Sequence, residues 1–311
     1  MTAPRSGGTP RRNVMTVDVE EYFHVSAFGH VVDRGRWDAM ESRVVRSTDR
    51  LLDMFAAHDV RATFFVLGWV ATKHPALIQR IAQGGHEIAS HSYWHRLVYD
   101  LTPEEFRADL RQARRAIQDA CGVEVVGFRA PSFSLTSRSL WAFDVLAEEG
   151  YRYDASVFPI WHDRYGIPSA PRHAHVVARG SRELVEMPSS TALVGRARVP
   201  IGGGYFRWLP YAGTAWAIRR VNVAEGLPCA FYLHPWEIDP HQPRIDVDAP
   251  TRLRHYMGLQ RTEARLARLL KEFHWGTVRD TLLIDAATLP RRSYDGLDAA
   301  LPAAVAGDKC A

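Results

Sequence analysis

The chain has 311 residues, of which 46% are hydrophobic and 24% charged, a composition typical of a globular protein with a sizeable core. Its formal net charge is +4, and the basic residues form no block, so the sequence does not predict a nucleic-acid-binding arm. The cysteines are too scattered for a disulfide framework or a thiolate zinc site: Cys121, Cys229 and Cys310.

Both ends of the chain are predicted to be disordered. Residues 1–12 are polar and rich in proline and glycine, without the apolar segment of a secretory signal peptide. No run of about 18 apolar residues is present to span a membrane. We therefore expect a disordered leader over 1–12, a disordered tail over 291–311 and a cytoplasmic protein.

Strand and helix patterns alternate from residue 13 to residue 156. Apolar runs with β-branched residues predict strands at 13–19, 62–68, 86–91, 123–131 and 151–156. Amphipathic spacing predicts helices at 47–60, 75–85, 102–122 and 137–150. The third helix begins with a capping box of Thr102 and Glu105. This alternation implies parallel strands with helical crossovers, and it is compatible with both an open and a closed sheet.

The second half of the chain is less regular. Residues 157–182 show no clean period, and a loop of this length is usually functional or mobile. A short strand is predicted at 184–190, and three glycines from Gly202 would allow a sharp turn or close approach to a ligand. A last strand precedes His234, and a long amphipathic helix is predicted over 251–273.

Acidic and imidazole groups follow the predicted strands. Asp18 and Glu20 lie two residues apart, so they share a face of the first strand, and Glu21 opposes them. His91 and His95 have a spacing that directs both rings to one side of a helical turn. Two imidazoles and one carboxylate are typical of a catalytic metal site, in which Asp18 would serve as the base. The alternatives are salt bridges or a helix cap for the carboxylates, and a chance histidine pair.

Three more residues at predicted strand ends each allow a functional and a structural interpretation. Arg129 would fix a catalytic carboxylate by a bidentate contact, or it would be a surface arginine. Taken alone, Asp154 would be a turn residue and His234 a structural histidine. An Asp–His pair would instead orient the imidazole and favour its protonated form, which suits a general acid.

These motifs together resemble the NodB-homology polysaccharide deacetylases, carbohydrate esterase family four. The five motifs of that family, in its order, resemble T16-VDVE, H91-SYWH, R129-APS, D154-AS and L233-H with Pro235. The five motifs together span about residues 13–240. The segments T16-VDVEEYFHV, G202-GGYFRWLPY and H234-PWEID resemble the branch encoded with exosortase (PEP-CTERM) exopolysaccharide systems, and with the helix from Arg261 they extend the resemblance to about 285.

The resemblance implies a fold and a role for each motif residue. The fold would be a distorted (β/α)₇ barrel over 13–285 with a C-terminal helical extension, and its site would lie at the C-terminal rim. The metal ligands would be Glu20, His91 and His95. The catalytic base would be Asp18, held by Arg129, and the catalytic acid would be His234, partnered by Asp154.

One departure from the family pattern concerns the third ligand. The common pattern has two adjacent aspartates, the second of which binds the metal, but in this chain Val19 follows Asp18. Glu20 fits an Asp-x-Asp variant of the pattern, and Glu21 is a less favoured substitute. The implied cofactor is a divalent ion, Zn²⁺ foremost, with other divalent ions as alternatives.

The implied activity is metal-dependent removal of N-acetyl groups from hexosamine units of a polysaccharide or oligosaccharide, in exopolysaccharide biosynthesis. Two alternatives stay open: hydrolysis of small cyclic or linear amides, and a non-catalytic sugar-binding relative. Aromatic side chains would stack on sugar rings, with Tyr205, Trp94 and Trp236 as the first candidates. Trp161, Phe206 and Trp208 are further candidates, and we expect at least half of the six to serve only in packing.

Overall fold

The computed structural model describes residues 12–179, 181–283 and 286–295. Its strands are β1 (Asn13–Val19), β2 (Thr63–Val66), β3 (Glu87–Ser90), β4 (Gly127–Phe128), β5 (Tyr153–Asp154), β6 (His175–Arg179), β7 (Arg182–Glu186), β8 (Thr191–Val194), β9 (Ala197–Pro200), β10 (Ala230–Leu233), β11 (Trp275–Gly276) and β12 (Arg291–Ser293). Its helices are α1 (Val44–Ala57), α2 (Gly68–Lys73), α3 (Pro75–Gln83), α4 (Pro103–Cys121), α5 (Trp141–Glu148), α6 (Gly203–Trp208), α7 (Tyr211–Arg219), α8 (Ala249–Tyr256) and α9 (Leu259–Glu272).

The described strands form one large sheet in the order β10-β1-β2-β3-β4-β5-β7-β6-β12, and β11 pairs with β1. Every neighbouring pair is parallel except β6 with β7. A separate hairpin is formed by β8 and β9. The strands from β10 to β7 therefore point the same way, and their carboxyl ends meet at one edge of the sheet. This confirms the predicted mixed α/β class with a mostly parallel sheet.

The four helices predicted before residue 156 are present as α1, α3, α4 and α5. The capping box of α4 is confirmed, because Thr102 Oγ1 accepts from the Glu105 N–H at 3.2 Å and Glu105 Oε2 accepts from the Thr102 N–H at 2.9 Å. The apolar face of α1 buries Leu51 and Phe55 against the sheet. Burial of each such side chain contributes about 1.5–3 kcal/mol to folding.

The prediction of a single helix over 251–273 is wrong, because the helix is interrupted between α8 and α9. Gly258 has a φ of 82°, in the left-handed region that glycine adopts without strain. A Cβ at this position would lie 2.6 Å from the Arg207 carbonyl oxygen. The break therefore depends on a close approach of two backbone segments, which the amphipathic pattern does not encode.

The predicted disorder of the tail is also wrong for its first residues. Arg291–Ser293 form β12, which pairs in parallel with β6, and Tyr294 is fully buried with its hydroxyl 2.8 Å from His175 Nε2. The leader, apart from residue 12, and the tail beyond residue 295 lie outside the described residues. Among the helices of the described ranges, none has the length and apolarity needed to cross a bilayer.

Candidate active site

Two carboxylates lie at the carboxyl end of β1, the strand between β10 and β2. Asp18 is the penultimate residue of the strand and Glu20 follows the strand directly, and each is only 2% exposed. Buried carboxylates are costly unless ion pairs, hydrogen bonds or a cation compensate them. The groups around Asp18 and Glu20 therefore indicate how each buried charge is compensated.

The predicted ligands Glu20, His91 and His95 converge, each offering an atom within 4.8 Å of the others. Glu20 Oε2 lies 2.7 Å from His95 Nε2 and 3.8 Å from His91 Nε2. This buried oxygen forms no aligned hydrogen bond with any described residue. A buried carboxylate oxygen that faces two imidazole nitrogens has the environment of a metal ligand.

The tautomer of His91 is fixed by its second nitrogen. His91 Nδ1 donates to the backbone carbonyl of Arg129 at 2.8 Å, which leaves Nε2 without a proton and directed towards Glu20. Burial lowers the pKa of His91 to about 4, so the ring is neutral at physiological pH. A neutral imidazole whose other nitrogen donates to a carbonyl is the usual form of a metal-ligating histidine.

The segment that holds both histidines is a loop and not the helical turn suggested by their spacing. Ser92 and His95 have φ values of 64° and 51°, a conformation that costs non-glycine residues of order 1–3 kcal/mol each. Asp109 on α4 compensates by accepting from the backbone N–H groups of Tyr93 and Trp94 at 2.8 and 3.2 Å. The left-handed residues turn the chain so that both rings face Glu20.

Asp18 is held by Arg129, as the resemblance implied, but the contact is not bidentate. Arg129 Nη1 donates to Asp18 Oδ1 at 2.7 Å and to Thr16 Oγ1 at 2.8 Å. Its Nε donates instead to the carbonyl of Ala155 at 3.1 Å. The guanidinium is 1% exposed, so it fixes one oxygen of Asp18 and leaves the other towards His234 Nε2, at 3.7 Å.

His234 follows β10 and faces both carboxylates. Its Nε2 lies 3.7 Å from Asp18 Oδ2 and 3.8 Å from Glu20 Oε1. Its Nδ1 is 2.7 Å from Glu237 Oε1. Burial alone would lower the pKa of His234, but the hydrogen bond to Glu237 and the surrounding carboxylates raise it to about 9. The imidazole is therefore protonated at neutral pH.

The predicted pairing of Asp154 with His234 needs correction. Asp154 is fully buried at the end of β5, where its Oδ1 accepts from Ser156 Oγ at 2.5 Å, and it stands opposite Glu186 of β7 in the sheet register. The partner of His234 is Glu237, which lies three residues further on the same turn and so reaches the ring locally.

Glu237 and Arg207 contact the site through His234, and the sequence reasoning missed both. Glu237 Oε2 accepts from Arg207 Nε at 2.6 Å, and both side chains are buried. The spacing in H234-PWE is a local signal for Glu237. Arg207 lies on α6 and has no local signal, because only the folding of α6 against the turn after β10 brings it to Glu237.

Two residues near the motifs have structural roles. Glu21, the less favoured ligand, accepts from the backbone N–H groups of Arg43 and Val44 at the start of α1. His86 accepts from the Ala62 N–H at 3.2 Å, and burial lowers the pKa of its ring to about 4. Neither side chain belongs to the described cluster of metal ligands.

A cavity of about 160 Å³ opens over these groups and is lined by Asp18, Glu20, His95, His234, Tyr165 and Tyr232. We call it the catalytic pocket. A larger cavity of about 550 Å³ lies by the residues that begin β1 and β10, away from the motif residues. Because the carboxyl ends of parallel strands carry the chemistry of α/β proteins, the smaller cavity is the candidate site.

The three aromatic candidates occupy different positions. Trp236 is 6% exposed, donates from Nε1 to Glu20 Oε1 at 3.2 Å and stacks on His234 and His255, which leaves little of its face for a sugar. Trp94 packs on Tyr93 within the loop that holds His91 and His95. Tyr205 lines a second cleft beside the catalytic pocket.

Two family models match the chain. Residues 33–153 match polysaccharide deacetylase, and residues 155–283 match a domain of unknown function (DUF3473). The first match contains His91, His95 and Arg129. Asp18 and Glu20 precede it and His234 lies in the second match, so the sheet joins the three parts of the site by pairing β1 with both β2 and β10.

Named relatives match over shorter segments. The chain is 35% identical over 100 residues to a chitooligosaccharide deacetylase of Bradyrhizobium sp. and 32% identical over 96 residues to a peptidoglycan-N-acetylglucosamine deacetylase of Bacillus cereus. These segments cover 32% and 30% of this chain, and 43% and 35% of the two relatives, so less than half of each relative is matched.

A crystal structure of a Mycobacterium smegmatis protein, provisionally described as a polysaccharide deacetylase, has a TM-score of 0.60 at 22% identity. The superposition covers 94% of this chain and 96% of that chain, and at this identity it shows the fold alone. Family model, relatives and fold agree with the five motifs. The chain therefore contains a polysaccharide deacetylase domain of NodB homology, carbohydrate esterase family four, over residues 33–153, followed by a DUF3473 segment over 155–283.

Proposed function

We propose that this protein is a metal-dependent hydrolase that removes N-acetyl groups from hexosamine units of a polysaccharide. The observation that carries the proposal is the convergence of Glu20, His91 and His95 beneath a pocket that also contains Asp18 and His234. The named relatives act on chitooligosaccharide and on peptidoglycan N-acetylglucosamine. The similarity of three segments to the exosortase-associated branch supports a role in exopolysaccharide biosynthesis.

Strands from both matched segments share one sheet, which supports a single working domain over 13–285. Glu20, His91 and His95 would hold the ion, and a set of two imidazoles and one carboxylate with open positions suits Zn²⁺. When bound, such an ion lowers the pKa of water and polarises a carbonyl oxygen. The Glu20 oxygen that forms no aligned hydrogen bond with a described residue, and the fixed tautomer of His91, support this fit.

Asp18 is placed to accept a proton from the attacking water. Its Oδ1 is occupied by Arg129, so Oδ2 is the oxygen available to the pocket. Addition of the water oxygen to the acetamide carbonyl carbon forms a tetrahedral intermediate as the proton passes to the carboxylate. Arg129 acts as a positioning residue, since it holds Asp18 without lining the pocket.

His234 is placed to donate a proton to the leaving nitrogen. Its Nε2 faces the pocket, and the imidazole carries a proton at neutral pH because its pKa is raised to about 9. Protonation of the nitrogen as the C–N bond breaks yields a free amine and acetate. His234 Nε2 lies within 3.8 Å of both Asp18 and Glu20, so acid, base and metal ligand meet in one small volume.

Acetate release from N-acetylated chitooligosaccharides tests this assignment. Asp18→Asn and His234→Ala should each lower kcat by about 10²–10⁴-fold, the usual contribution of a general acid or base, while Zn²⁺ still binds. The exposed Asp53→Asn serves as the matched control and should keep full activity. Unchanged turnover in either site variant would reject the role assigned to that residue. Ring-opening of small cyclic amides without acetate release from the oligosaccharide would favour the small-amide alternative.

A further inference from the structure

Trp161 is the most exposed aromatic side chain among the described large hydrophobic residues, at 82% exposure. The loop that carries it is anchored on both sides. His162 stacks on Tyr165 with ring centroids 3.8 Å apart, and Tyr165 stacks in turn on Phe158 at 5.7 Å. Gly166, with a φ of 101°, closes the loop so tightly that a Cβ would lie 2.3 Å from the Ile160 carbonyl oxygen. The indole is therefore presented to solvent by an ordered loop.

Beside Trp161 lies a cleft of about 450 Å³, which we call the outer cleft. Its walls contain Trp161, Tyr205, Arg196 and Arg198, together with three prolines. The arginines come from the β8–β9 hairpin, and Tyr205 comes from α6. A concave site lined by aromatic and apolar side chains with a few polar groups has the composition of a ligand site.

Within the part of the chain that the structure describes, no carboxylate compensates the charge of the outer cleft. Arg198 Nη1 donates to two backbone carbonyls, those of Pro159 at 2.7 Å and Ala170 at 3.1 Å, and forms no ion pair with a described residue. Arg196 is exposed and forms no ion pair with a described residue. No aspartate or glutamate lines the cleft among the described residues. Two guanidinium groups without a carboxylate partner favour an anionic ligand.

The outer cleft adjoins the catalytic pocket. Gly204 lines the pocket and its neighbour Tyr205 lines the cleft. Phe158 joins the two walls, because its ring stacks on Tyr165 of the pocket and meets Tyr205 edge to face at 6.5 Å. A polysaccharide with one sugar in the catalytic pocket would therefore place a nearby sugar of the same molecule over the outer cleft.

We propose that the outer cleft binds a carboxylate-bearing sugar, of the uronic acid type, in the polysaccharide whose hexosamine occupies the catalytic pocket. The sugar ring stacks on Trp161, and its carboxylate accepts from Arg196 and Arg198. The identity of the polymer rests on the proposed deacetylase function. The inference adds that the substrate is an acidic heteropolymer rather than a neutral homopolymer of N-acetylhexosamine.

Two probes of equal length separate these substrates. A hyaluronan hexasaccharide alternates glucuronate with N-acetylglucosamine, and chitohexaose contains N-acetylglucosamine alone. Affinities are measured by calorimetry on the full-length Zn²⁺-loaded Asp18→Asn protein at low and high salt, so that neither probe is consumed. We expect at least about tenfold tighter binding of the acidic probe, with a preference that shrinks in salt.

Arg196→Ala and Trp161→Ala are the informative variants, because both side chains are exposed and their loss should not prevent folding. Arg196→Ala should bring the ratio of the two affinities close to one, and Trp161→Ala should weaken binding of the acidic probe about tenfold. The controls Arg46→Ala and Trp216→Ala, at exposed positions elsewhere, should retain the full preference. Equal affinities in the parent protein, or an undiminished ratio in Arg196→Ala, would overturn the inference.

Failure of the inference and failure of the proposed function give different results. If the wild-type protein releases acetate from chitohexaose but shows no preference for the acidic probe, only the inference is wrong. If it releases no acetate from either probe yet keeps the Arg196-dependent preference, the outer cleft is an anionic sugar site and the deacetylase proposal is wrong.

Discussion

At the scale of single residues, His234 is held by a chain of charged groups that ends on backbone carbonyls. Glu237 accepts from His234 Nδ1 and from Arg207 Nε. Arg207 Nη1 in turn donates to the carbonyls of His255 at 2.7 Å and Met257 at 2.9 Å. This arrangement directs His234 Nε2 to the pocket and fixes the ring orientation, so we infer that Glu237 is a positioning residue.

Replacing Glu237 with glutamine keeps the side-chain shape and removes the charge. We expect kcat for acetate release to fall on the order of 10²-fold with little change in KM, because the imidazolium loses its partner while the pocket remains. Zn²⁺ binding should persist, since Glu237 is not among the ligands. Steady-state kinetics below the unfolding transition measure the effect. An unchanged kcat, or a loss confined to KM, would show that Glu237 does not position the acid.

At the scale of the strands, β5 and β7 end in facing carboxyl groups. Asp154 and Glu186 are in register and both are fully buried. Burial and the neighbouring Asp154 raise the pKa of Glu186 well above its ordinary value. The Arg129 guanidinium lowers the pKa of Glu186 only in part, so the pair keeps a shared proton to a higher pH than an exposed glutamate would.

This pair makes a specific contribution to the pH dependence of stability. The folded protein holds a proton on Glu186 that the unfolded chain loses near pH 4.5. The free energy of unfolding therefore falls as the pH rises from that value through the raised pKa of Glu186. Glu186→Gln keeps a donor for Asp154 and removes the titration, so its urea-unfolding curves should lack this decline. A parallel decline in wild type and variant would contradict the shared proton.

The first residue of α6, Gly203, packs against Tyr232 of β10 so closely that a larger residue would not fit. Gly203 has a φ of 50°, and a Cβ there would lie 2.4 Å from the Tyr232 ring, a wall of the catalytic pocket. Gly203→Ala should therefore destabilise the fold by about 1–3 kcal/mol and lower acetate release. Gly213→Ala within α7 is the matched control, because a Cβ meets nothing within 4 Å and alanine favours a helix. Equal melting temperatures for the two variants would be inconsistent with the tight packing.

At the scale of the whole molecule, the sequence predicts the features that parallel strand order dictates. Asp18, His91 and His234 each lie at a strand end, and parallel strands bring such ends to one edge of the sheet. Glu237 reaches His234 through a local turn, whereas Arg207 reaches Glu237 from α6 through tertiary packing that no local pattern encodes. The same kind of long-range contact explains the helix break and β12, since both depend on backbone segments far apart in sequence.

The dependence of acetate release on a bound ion is the most direct test of the central claim. The wild-type protein is freed of metal with a chelator, and acetate release from N-acetylated chitooligosaccharide is followed as Zn²⁺ is added back. We predict no release from the metal-free protein and full recovery once each chain has bound a single ion at Glu20, His91 and His95. Undiminished acetate release from the metal-free protein would contradict the account.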